Sequence, residues 1–290
     1  MITFKRILFP VDFSEQCAAV APAVKAMARQ FGSELVVLHV IDLPPAWYGA
    51  PDAASWSTLI NVDRLRQEGE VALNRFIAEE LAGVPVTLEL AEGDATQQIL
   101  ERANDDRADL IMMPTHGYGP FRALLLGSIT AKVLHDAHCP VWTGVHAEQI
   151  LAHPADHWKR MLCALDADRK DLNLLKWAAQ FAAEQGAELR LVHAVRGADA
   201  SLTEDSDPSL HEFLFNIARE EIAKLQAEAG TNFDVCLLGG SVGQAVHKSA
   251  VGHDADVILI GRGVMQKKLG RLRSSAYSII REAPCPVISI

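Results

Sequence analysis

Residues 4–15 read FKRILFPVDFSE and residues 31–41 read FGSELVVLHVI, and both stretches return later in the chain. The second copies read WKRMLCALDADR (158–169) and QGAELRLVHAV (185–195), at a constant offset of 154 residues. Within these copies Asp12 matches Asp166, and His39 matches His193. A repeat of about half the chain length predicts two copies of one domain rather than a solenoid of short units.

The ends of the two halves repeat as well. Ala108-Asp109 matches Ala255-Asp256, and Cys139-Pro140-Val141 matches Cys285-Pro286-Val287. A chain of 290 residues with 49% hydrophobic residues is long enough and apolar enough for two buried cores. We therefore predict one domain over residues 1–147 and a second over 157–290, joined by a short linker at about 146–157.

Charge and cysteine content exclude several classes of protein. A net charge of −10 argues against a surface for nucleic acid or for an anionic membrane. No apolar stretch has the length of a membrane-spanning helix, and Asp12 ends the first apolar run too early for a signal sequence. The five cysteines are scattered, with no metal-binding spacing. We expect a soluble, cytoplasmic protein with reduced thiols, in which Cys139 and Cys285 are small buried side chains.

Each half alternates short apolar runs with stretches of helical periodicity. The predicted strands are 6–11, 34–41, 86–90, 110–113 and 141 onward, then 161–165, 189–195, 235–238, 257–260 and 287–290. The predicted helices are 14–32, 63–81, 95–104 and 128–136, then 172–186, 209–229, 242–251 and 274–281.

This alternation predicts an α/β fold. We expect two tandem doubly wound, Rossmann-like domains, each with a five-stranded parallel-type sheet flanked by helices. Such sheets bind ligands beyond the carboxyl ends of their strands, so the loops after the first and fourth strands are the candidate site. The inserts 43–60 and 197–208 are predicted loops that could cover a site or a partner surface.

The loop after the fourth strand carries the candidate chemistry. Pro114-Thr115-His116-Gly117 is followed by nine residues and then by Gly127-Ser128-Ile129-Thr130. We expect Gly117 to adopt a conformation forbidden to other residues, and Gly127 to let the backbone approach a ligand. Ser128 is predicted to be the N-cap of a helix whose free N–H groups favour an anion. The alternative is that these glycines only form turns.

Two other features of this region bear on a ligand. Asp12 ends the first strand across the same crevice, where it could accept a ribose hydroxyl or help to hold a metal. The Ser128 and Thr130 hydroxyls could add hydrogen bonds. The pattern is neither a Walker P-loop nor a Rossmann fingerprint, because no GxxxxGK[ST] and no GxGxxG after the first strand is present.

The chain resembles a tandem universal stress protein. The likeness covers both halves and rests on ILFPVDFSE, ADLIMMPTHG and LLLGSITAKVLHDAHCPV in the first, and on ADVILIGRG and APCPV in the second. Family members that bind ATP carry G-x2-G-x9-G-[ST] after the fourth strand. This chain has Gly117, the nine-residue spacer, Gly127 and Ser128, but Pro114 replaces the first glycine. Proline has no backbone N–H, so any contact from that amide is lost.

The resemblance implies a binding site for ATP, with or without Mg²⁺, in the first domain. The backbone of Val40 would contact the adenine edge. For His116 two alternatives stay open, a ligand contact and, favoured, a solvent-facing loop residue. The residues implied to contact the nucleotide are Pro10, Val11 and Asp12 at the adenosine, Met113 at the end of the fourth strand, and Gly117, Gly127, Ser128, Ile129 and Thr130 at the phosphates. No metal ligand is assigned.

The second half departs from the pattern. Gly261 fills the first motif position, but Val264 fills the second, and Ser274 or Arg273 fills the third, depending on the alignment. The loop GRGVMQKKLGRLRSS is also strongly basic. Three interpretations stay open: the second site has lost nucleotide binding, its arginines bind another anion, or the loop reshapes and still accepts ATP.

Three functions follow from these observations. The first is a stress-response or regulatory protein that binds ATP in its first domain and uses the second as a structural or regulatory partner. The second is a scaffold of the same fold that binds no nucleotide, and the third is a slow ATPase. The strands after Cys139 and Cys285 are expected to cover each other's edges, so that each chain is a pseudo-dimer. Further association of chains into a homo-oligomer stays open.

Overall fold

The repeat is visible in a computed structural model of the chain as two compact units. One unit is Thr3–Val141, and the other consists of Met1–Ile2 and Trp142–Ile290. The structure describes residues 1–42, 62–117, 126–144, 158–198, 208–262 and 274–290. The predicted insert 43–60, residues 199–207 of the second predicted insert 197–208, the linker, most of the nine-residue spacer and the basic loop 263–273 lie outside the described residues.

In the first unit the strands form a parallel sheet in the order β3-β2-β1-β4. The last strand, β5, begins at the final residue of this unit. The strands are β1 (Arg6–Pro10), β2 (Glu34–Ile41), β3 (Val86–Glu92), β4 (Leu110–Pro114) and β5 (Val141–Gly144). The helices are α1 (Glu15–Phe31), α2 (Val62–Glu80), α3 (Ala95–Asp105) and α4 (Ser128–Asp136).

The second unit repeats this plan, with β6 as the central strand in the order β10-β9-β6-β7-β8. Its strands are β6 (Arg160–Ala164), β7 (Glu188–Val195), β8 (Val235–Gly239), β9 (Val257–Ile260) and β10 (Val287–Ser289). Its helices are α5 (Leu172–Gln185), α6 (Pro208–Ala229), α7 (Val242–His253) and α8 (Ser274–Glu282). Each predicted strand and helix is therefore confirmed, and their ends lie within two residues of the predicted ones.

The helices that follow the central strands end as the sequence predicts. Gly32 and Gly186 adopt the left-handed conformation, with φ angles of 60° and 65°. Glycine adopts this conformation at no steric cost, so the helix stops there. At the other end of α1, the Ser14 hydroxyl accepts the Cys17 N–H at 3.3 Å. These caps fix where α1 begins and ends relative to β1 and β2.

The central strands are apolar because the sheet is covered on both faces. Ile7 and Phe9 in β1 and Met161 and Cys163 in β6 are all fully buried. Phe9 packs against Phe76 of α2, with ring centroids 6.2 Å apart. Within the described residues, no helix is both long enough and apolar enough to cross a membrane.

A repeated aspartate ties the start of each central strand to its neighbour. Asp109 Oδ2, just before β4, accepts the N–H groups of Lys5 and Arg6 at 2.8 and 2.9 Å. In the second unit, Asp256 Oδ2 accepts the N–H groups of Lys159 and Arg160 at 2.7 and 2.8 Å. The repeated Ala-Asp pair is therefore structural, because it aligns the strands that form the crevice.

The cysteines differ in burial. Cys17, Cys163 and Cys285 are buried, whereas Cys139 and Cys236 are partly exposed. Burial therefore confirms the prediction for Cys285, but the prediction for Cys139 is wrong, because the turn before β5 leaves Cys139 half-buried. Burial, reinforced by the nearby Asp12, raises the pKa of Cys17 to about 12, and burial raises the pKa of Cys285 to about 12.

Replacing Asp109 by Ala is expected to lower the free energy of unfolding by about 1–3 kcal/mol, because two strand N–H groups lose a charged acceptor. Asp256→Ala should act in the same way on the second unit. Urea unfolding of the full chain measures both effects as a lower transition midpoint. Asp105→Ala, at the exposed end of α3, is the matched control and should leave the midpoint unchanged. A midpoint unchanged in Asp109→Ala would contradict the assigned role.

Iodoacetamide at pH 8 is expected to label Cys139 and Cys236 in the folded protein, and to label the three buried thiols only in urea. The buried thiols stay protonated, since the raised pKa of Cys17 and Cys285 lies far above pH 8. In the unfolded chain the same thiols ionise near their ordinary pKa of 9.0. Their contribution to stability is thus complete below pH 9 and falls as the pH rises towards 12. Rapid labelling of Cys17 in the folded protein, detected by peptide mass spectrometry, would contradict this.

Candidate functional site

The predicted crevice lies at the carboxyl ends of β1, β2 and β4 in the first unit. β1 pairs with β2 on one side and with β4 on the other, so the strand order reverses there. The Val11 N–H donates to the Leu38 carbonyl at 2.8 Å, which keeps the end of β1 beside the end of β2. Val40 lies two residues further along β2 and is half-buried. The topology thus brings the candidate residues of three strands to one edge of the sheet.

Asp12 follows β1 and is held in place by its own loop. Its Oδ1 accepts the Ser14 N–H at 3.0 Å and the Cys17 thiol at 3.0 Å. Its Oδ2 faces Gly117, where an added Cβ atom would lie 2.0 Å from this oxygen. The structure therefore brings Asp12 and Gly117 into direct contact, although 104 residues separate them in the chain.

This contact corrects the predicted reason for Gly117. The φ angle of Gly117 is not in the left-handed region, so no special backbone conformation requires a glycine there. Glycine is required because a β-carbon would collide with the Asp12 carboxylate. The constraint comes from a side chain far away in the sequence, which the spacing of the motif could not reveal.

The start of α4 is joined to the end of β4 by two hydrogen bonds. The Gly127 N–H donates to the Thr115 carbonyl at 2.8 Å. The Thr130 hydroxyl donates to the Pro114 carbonyl at 3.2 Å. Thr130 is buried, so its hydroxyl serves the loop, and a ligand would reach only its backbone. The carbonyl of Pro114 thus has a structural partner, although this residue lacks the N–H of the glycine that the motif expects.

The predicted N-cap is wrong by one residue. Gly127 is the N-cap of α4, with φ −58° and ψ 144°, and Ser128 is the first helical residue. The Gly127 carbonyl accepts the Ala131 N–H at 2.8 Å, which closes the first helical turn one residue earlier than expected. Because glycine has no side chain, no side-chain cap binds the first N–H groups of α4. Ser128 and Ile129 are exposed, so this helix end is accessible to an anion.

Three further candidate residues occupy less accessible positions. Pro10 and Met113 are buried at the ends of β1 and β4, and Val11 is buried just beyond β1. His116 is half-buried, and its Nδ1 lies 3.0 Å from the Thr115 hydroxyl. His116 is thus partly exposed, and its ring is turned towards its neighbour Thr115.

Sequence reasoning missed the role of His39 and Phe13. The His39 Nδ1 lies 2.9 Å from the Val11 carbonyl, which can only accept, so Nδ1 carries the proton. Phe13 has a φ angle of 60°, which is unusual for an aromatic residue, and its ring lies 4.3 Å from the His39 ring. The match between His39 and His193 in the repeat was the signal that pointed to this position.

The second unit keeps the same loop geometry with different side chains. The His193 Nδ1 lies 2.9 Å from the Leu165 carbonyl, and Ala167 has a φ angle of 60°. The Asp166 N–H donates to Asp171 Oδ2 at 2.7 Å. Gly261, which fills the first motif position of the second half, directly follows β9. Val264 and Arg273 lie outside the described residues.

Neither unit shows a cluster of metal ligands in the part of the chain that the structure describes. No group of three or more His, Cys, Asp or Glu side chains is placed to hold a metal ion there. At the first crevice Asp12 supplies one carboxylate. One carboxylate together with ligand phosphates is a common environment for Mg²⁺.

Comparison with known proteins identifies the family to which this chain is similar. The model of the universal stress protein family matches residues 3–143 and again residues 157–290. Universal stress protein MJ0531 of Methanocaldococcus jannaschii is 35% identical over 140 residues, which cover 48% of this chain and 80% of that protein. A universal stress protein of Thermus aquaticus is 35% identical over 141 residues, covering 48% of this chain and 96% of that protein.

A solved structure matches along the whole chain. It is a universal stress protein from Archaeoglobus fulgidus, with a TM-score of 0.67 and 24% identity, covering 100% of this chain and 97% of that one. This likeness confirms the α/β fold with its parallel-type sheets. The two family matches, one in each half, show that this chain belongs to the universal stress protein family and carries two of its domains in tandem.

Proposed function

We propose that this protein is a cytoplasmic stress-response or regulatory protein that binds ATP in its first domain. The observation that carries the proposal is the meeting of Asp12, Gly117 and the uncapped start of α4 at one crevice. A carboxylate accepts hydroxyl donors, and a helix N-terminus favours a phosphate, so the two ends of a nucleotide have complementary partners here.

The proposed roles follow the resemblance and the positions of the residues. Asp12 accepts a ribose hydroxyl through a carboxylate already oriented by Ser14 and Cys17. The backbone of Val40 contacts the adenine, with Pro10, Val11 and Met113 beneath the nucleoside. Gly117, Ser128, Ile129 and Thr130 contact the phosphates through their backbone N–H groups, whereas Gly127, whose N–H donates to the Thr115 carbonyl, lets the backbone approach them closely. Mg²⁺, if it accompanies the nucleotide, would be held by the phosphate oxygens, and Asp12 would be the residue to supply a carboxylate.

Binding rather than catalysis is the proposed activity. Phosphoryl transfer needs cations that stabilise the transferring group and a residue that positions the attacking nucleophile. At the described start of α4, Ser128, Ile129 and Thr130 supply no cation, and the nearby His116 ring has its Nδ1 3.0 Å from the Thr115 hydroxyl. Any hydrolysis of ATP is therefore expected to be slow, and a rapid Mg²⁺-dependent turnover that Asp12→Asn abolishes would refute this proposal.

The second domain is proposed to be structural or regulatory. The sequence supports a pseudo-dimer, since each half ends in a short apolar strand after a Cys-Pro pair, and exposed edge strands tend to be covered. Hydrogen exchange tests this: every amide of Val141–Gly144 and Val287–Ser289 should be protected, including the alternate ones that do not bond to β4 or β9. Rapid exchange of both strands in the native chain would refute the pairing.

Gently purified protein is expected to release about one ATP or ADP per chain when it is denatured, as measured by mass spectrometry. Ser128→Asp should reduce this content and lower the affinity for ATP at least about tenfold, because an added carboxylate repels phosphate. The same change should not destabilise the fold, because an acidic residue is favourable in the first turn of a helix. If Ser128→Asp loses ATP binding while its free energy of unfolding is unchanged, the substitution acts on the binding site and not on folding.

Ser241→Asp is the matched control for this experiment. Ser241 is the exposed N-cap of α7 in the second unit and makes no side-chain capping hydrogen bond. It therefore adds the same charge at a helix start remote in sequence from the motif. Equal loss of ATP in both variants, or no nucleotide in the native protein and none on titration, would favour the scaffold function instead.

Asp12→Asn is expected to remove most of the preference for ATP over 2′,3′-dideoxy-ATP. Asparagine keeps one oxygen for Ser14 and Cys17 but replaces the other by an NH₂ group, which cannot accept a ribose hydroxyl. A hydrogen bond to a charged group contributes about 1.5–3 kcal/mol, so the preference should fall roughly tenfold or more. Isothermal titration with both nucleotides measures it.

Gly117→Ala should act in the same direction, because its β-carbon would displace the Asp12 carboxylate. Gly252→Ala is the control, since an added Cβ there meets no atom within 4 Å. An unchanged preference in both Asp12→Asn and Gly117→Ala would show that Asp12 does not contact the ribose.

A further inference from the structure

The second unit contains a large cavity at the end of its sheet that corresponds to the crevice of the first unit. Its volume is about 990 Å³, and it opens at the carboxyl ends of β6, β7 and β9. Ligand pockets in proteins commonly have volumes of about 300–1,000 Å³. The cavity is therefore large enough for a small organic molecule, and the degenerate motif leaves its ligand unassigned.

One difference between the repeats lies beside this space. In the first unit the Phe13 ring lies 4.3 Å from the His39 ring and 6.0 Å from the Phe76 ring. Ala167 occupies the same position in the second unit with the same φ angle of 60°. The loop backbone is thus conserved between the units, but no aromatic ring from this position covers His193, which lines the cavity.

The walls of the cavity are mostly apolar. They include one aromatic side chain, Trp177, which is half-buried and packs against Phe181 at 4.8 Å. The aliphatic lining comes from both strands and helices and includes Leu174, Val192, Leu214, Val246, Ile260 and Ile279. Such a lining favours a ligand with an apolar body, because its burial removes apolar surface from water on both sides.

Among the described residues of the lining, the charged groups are mainly acidic. Four carboxylates, from Asp166, Asp168, Asp171 and Glu221, stand against the two cations of Lys170 and Arg196 in this described part of the lining. One of these cations is already close to a carboxylate, since Lys170 Nζ lies 3.8 Å from Asp168 Oδ2. A phosphate would meet this excess of negative charge, whereas a cation would be attracted to it.

Crowding of the carboxylates strengthens this preference. Burial, with the neighbouring Asp166 and Asp168 carboxylates, raises the pKa of Asp171 above its usual value. A bound cation would relieve this repulsion. The His193 ring adds a hydrogen-bond acceptor: its Nδ1 donates to the Leu165 carbonyl, so Nε2 of the neutral ring carries a lone pair. The face of Trp177 can also attract a cation.

We infer that the cavity of the second domain binds a protonated amine with an apolar aromatic or aliphatic body, rather than a nucleotide. The body packs among the aliphatic side chains and Trp177, and the ammonium group contacts the carboxylates at the mouth and His193. The second domain thereby becomes a sensor for a ligand of opposite charge to ATP. This inference stands on the cavity and does not require that the first domain bind ATP.

The test uses three probes that share one ring system and differ in charge: tryptamine, indole and indole-3-propionate. Each is titrated into the full chain by isothermal calorimetry, with ATP present so that the first crevice is occupied or inert. Tryptamine is expected to bind at least tenfold more tightly than indole, and indole-3-propionate more weakly than either. Preferential binding of indole-3-propionate, or no saturable binding of tryptamine, would overturn the inference.

Two kinds of variant assign the binding to this cavity. Ala167→Phe restores the ring that the first unit carries at the same φ angle, and it should abolish tryptamine binding. If Ala167→Phe fails to fold, Ala218→Phe serves the same purpose, because Ala218 is a buried residue of the lining on α6. Tryptamine affinity unchanged in a folded variant of either kind would overturn the location.

The charge preference has its own matched pair on α6. Glu221 lines the cavity, whereas its neighbour Glu220 does not, and both are exposed. Glu221→Gln is expected to weaken tryptamine binding severalfold and to leave indole unchanged, while Glu220→Gln should change neither. Equal effects of the two substitutions would show that only the overall negative charge of the chain attracts the amine, and the assigned contact would be wrong.

Discussion

Parallel pairing of the central strand on both of its sides is the constraint on which each unit depends. β1 and β6 are paired with a strand on either edge and buried on both faces, so their residues must be apolar and their register is fixed. Chain order reverses at these strands, and the loops that leave them diverge and open a crevice. The aspartates before β4 and β9 strengthen the constraint by binding the first N–H groups of the central strands. The crevice of the first unit and the cavity of the second both lie where the chain order reverses at these central strands.

Close packing at the crevice gives the glycines of the motif a role in folding, apart from any ligand. Gly117 makes room for the Asp12 carboxylate, and Gly127 lies near the turn after β4, where an added Cβ would be 3.3 Å from the Cα of His116. A substitution at either position therefore disturbs the site even before a ligand is considered. This is also why Asp12 can be oriented in advance, with one oxygen held by the loop and the other against a glycine.

Local sequence patterns predicted the strands and helices, because each carries its own period of apolar residues and its own stop signals such as Gly32. These patterns also predicted that Asp12 and the glycine-rich loop lie at the same edge of the sheet. They failed where the deciding contact joins distant parts of the chain. The contact of Asp12 with Gly117 and the shift of the N-cap to Gly127 depend on tertiary packing. The cavity of the second unit was missed because Ala167 became informative only when compared with the ring contacts of Phe13.

The comparison of the two loops suggests how a duplicated domain can diverge without losing its fold. The backbone after each central strand keeps the same left-handed residue and the same bond from histidine to a carbonyl, so the scaffold tolerates either Phe13 or Ala167. A large ring fills the space beside the histidine, whereas a methyl group leaves it empty. We propose that the polar groups then decide the ligand class: an uncapped helix start would attract an anion in the first unit, and the excess of carboxylates in the described lining would attract a cation in the second. A chain with one unit of each kind would respond to two chemically opposite molecules, which two copies with identical sites could not do.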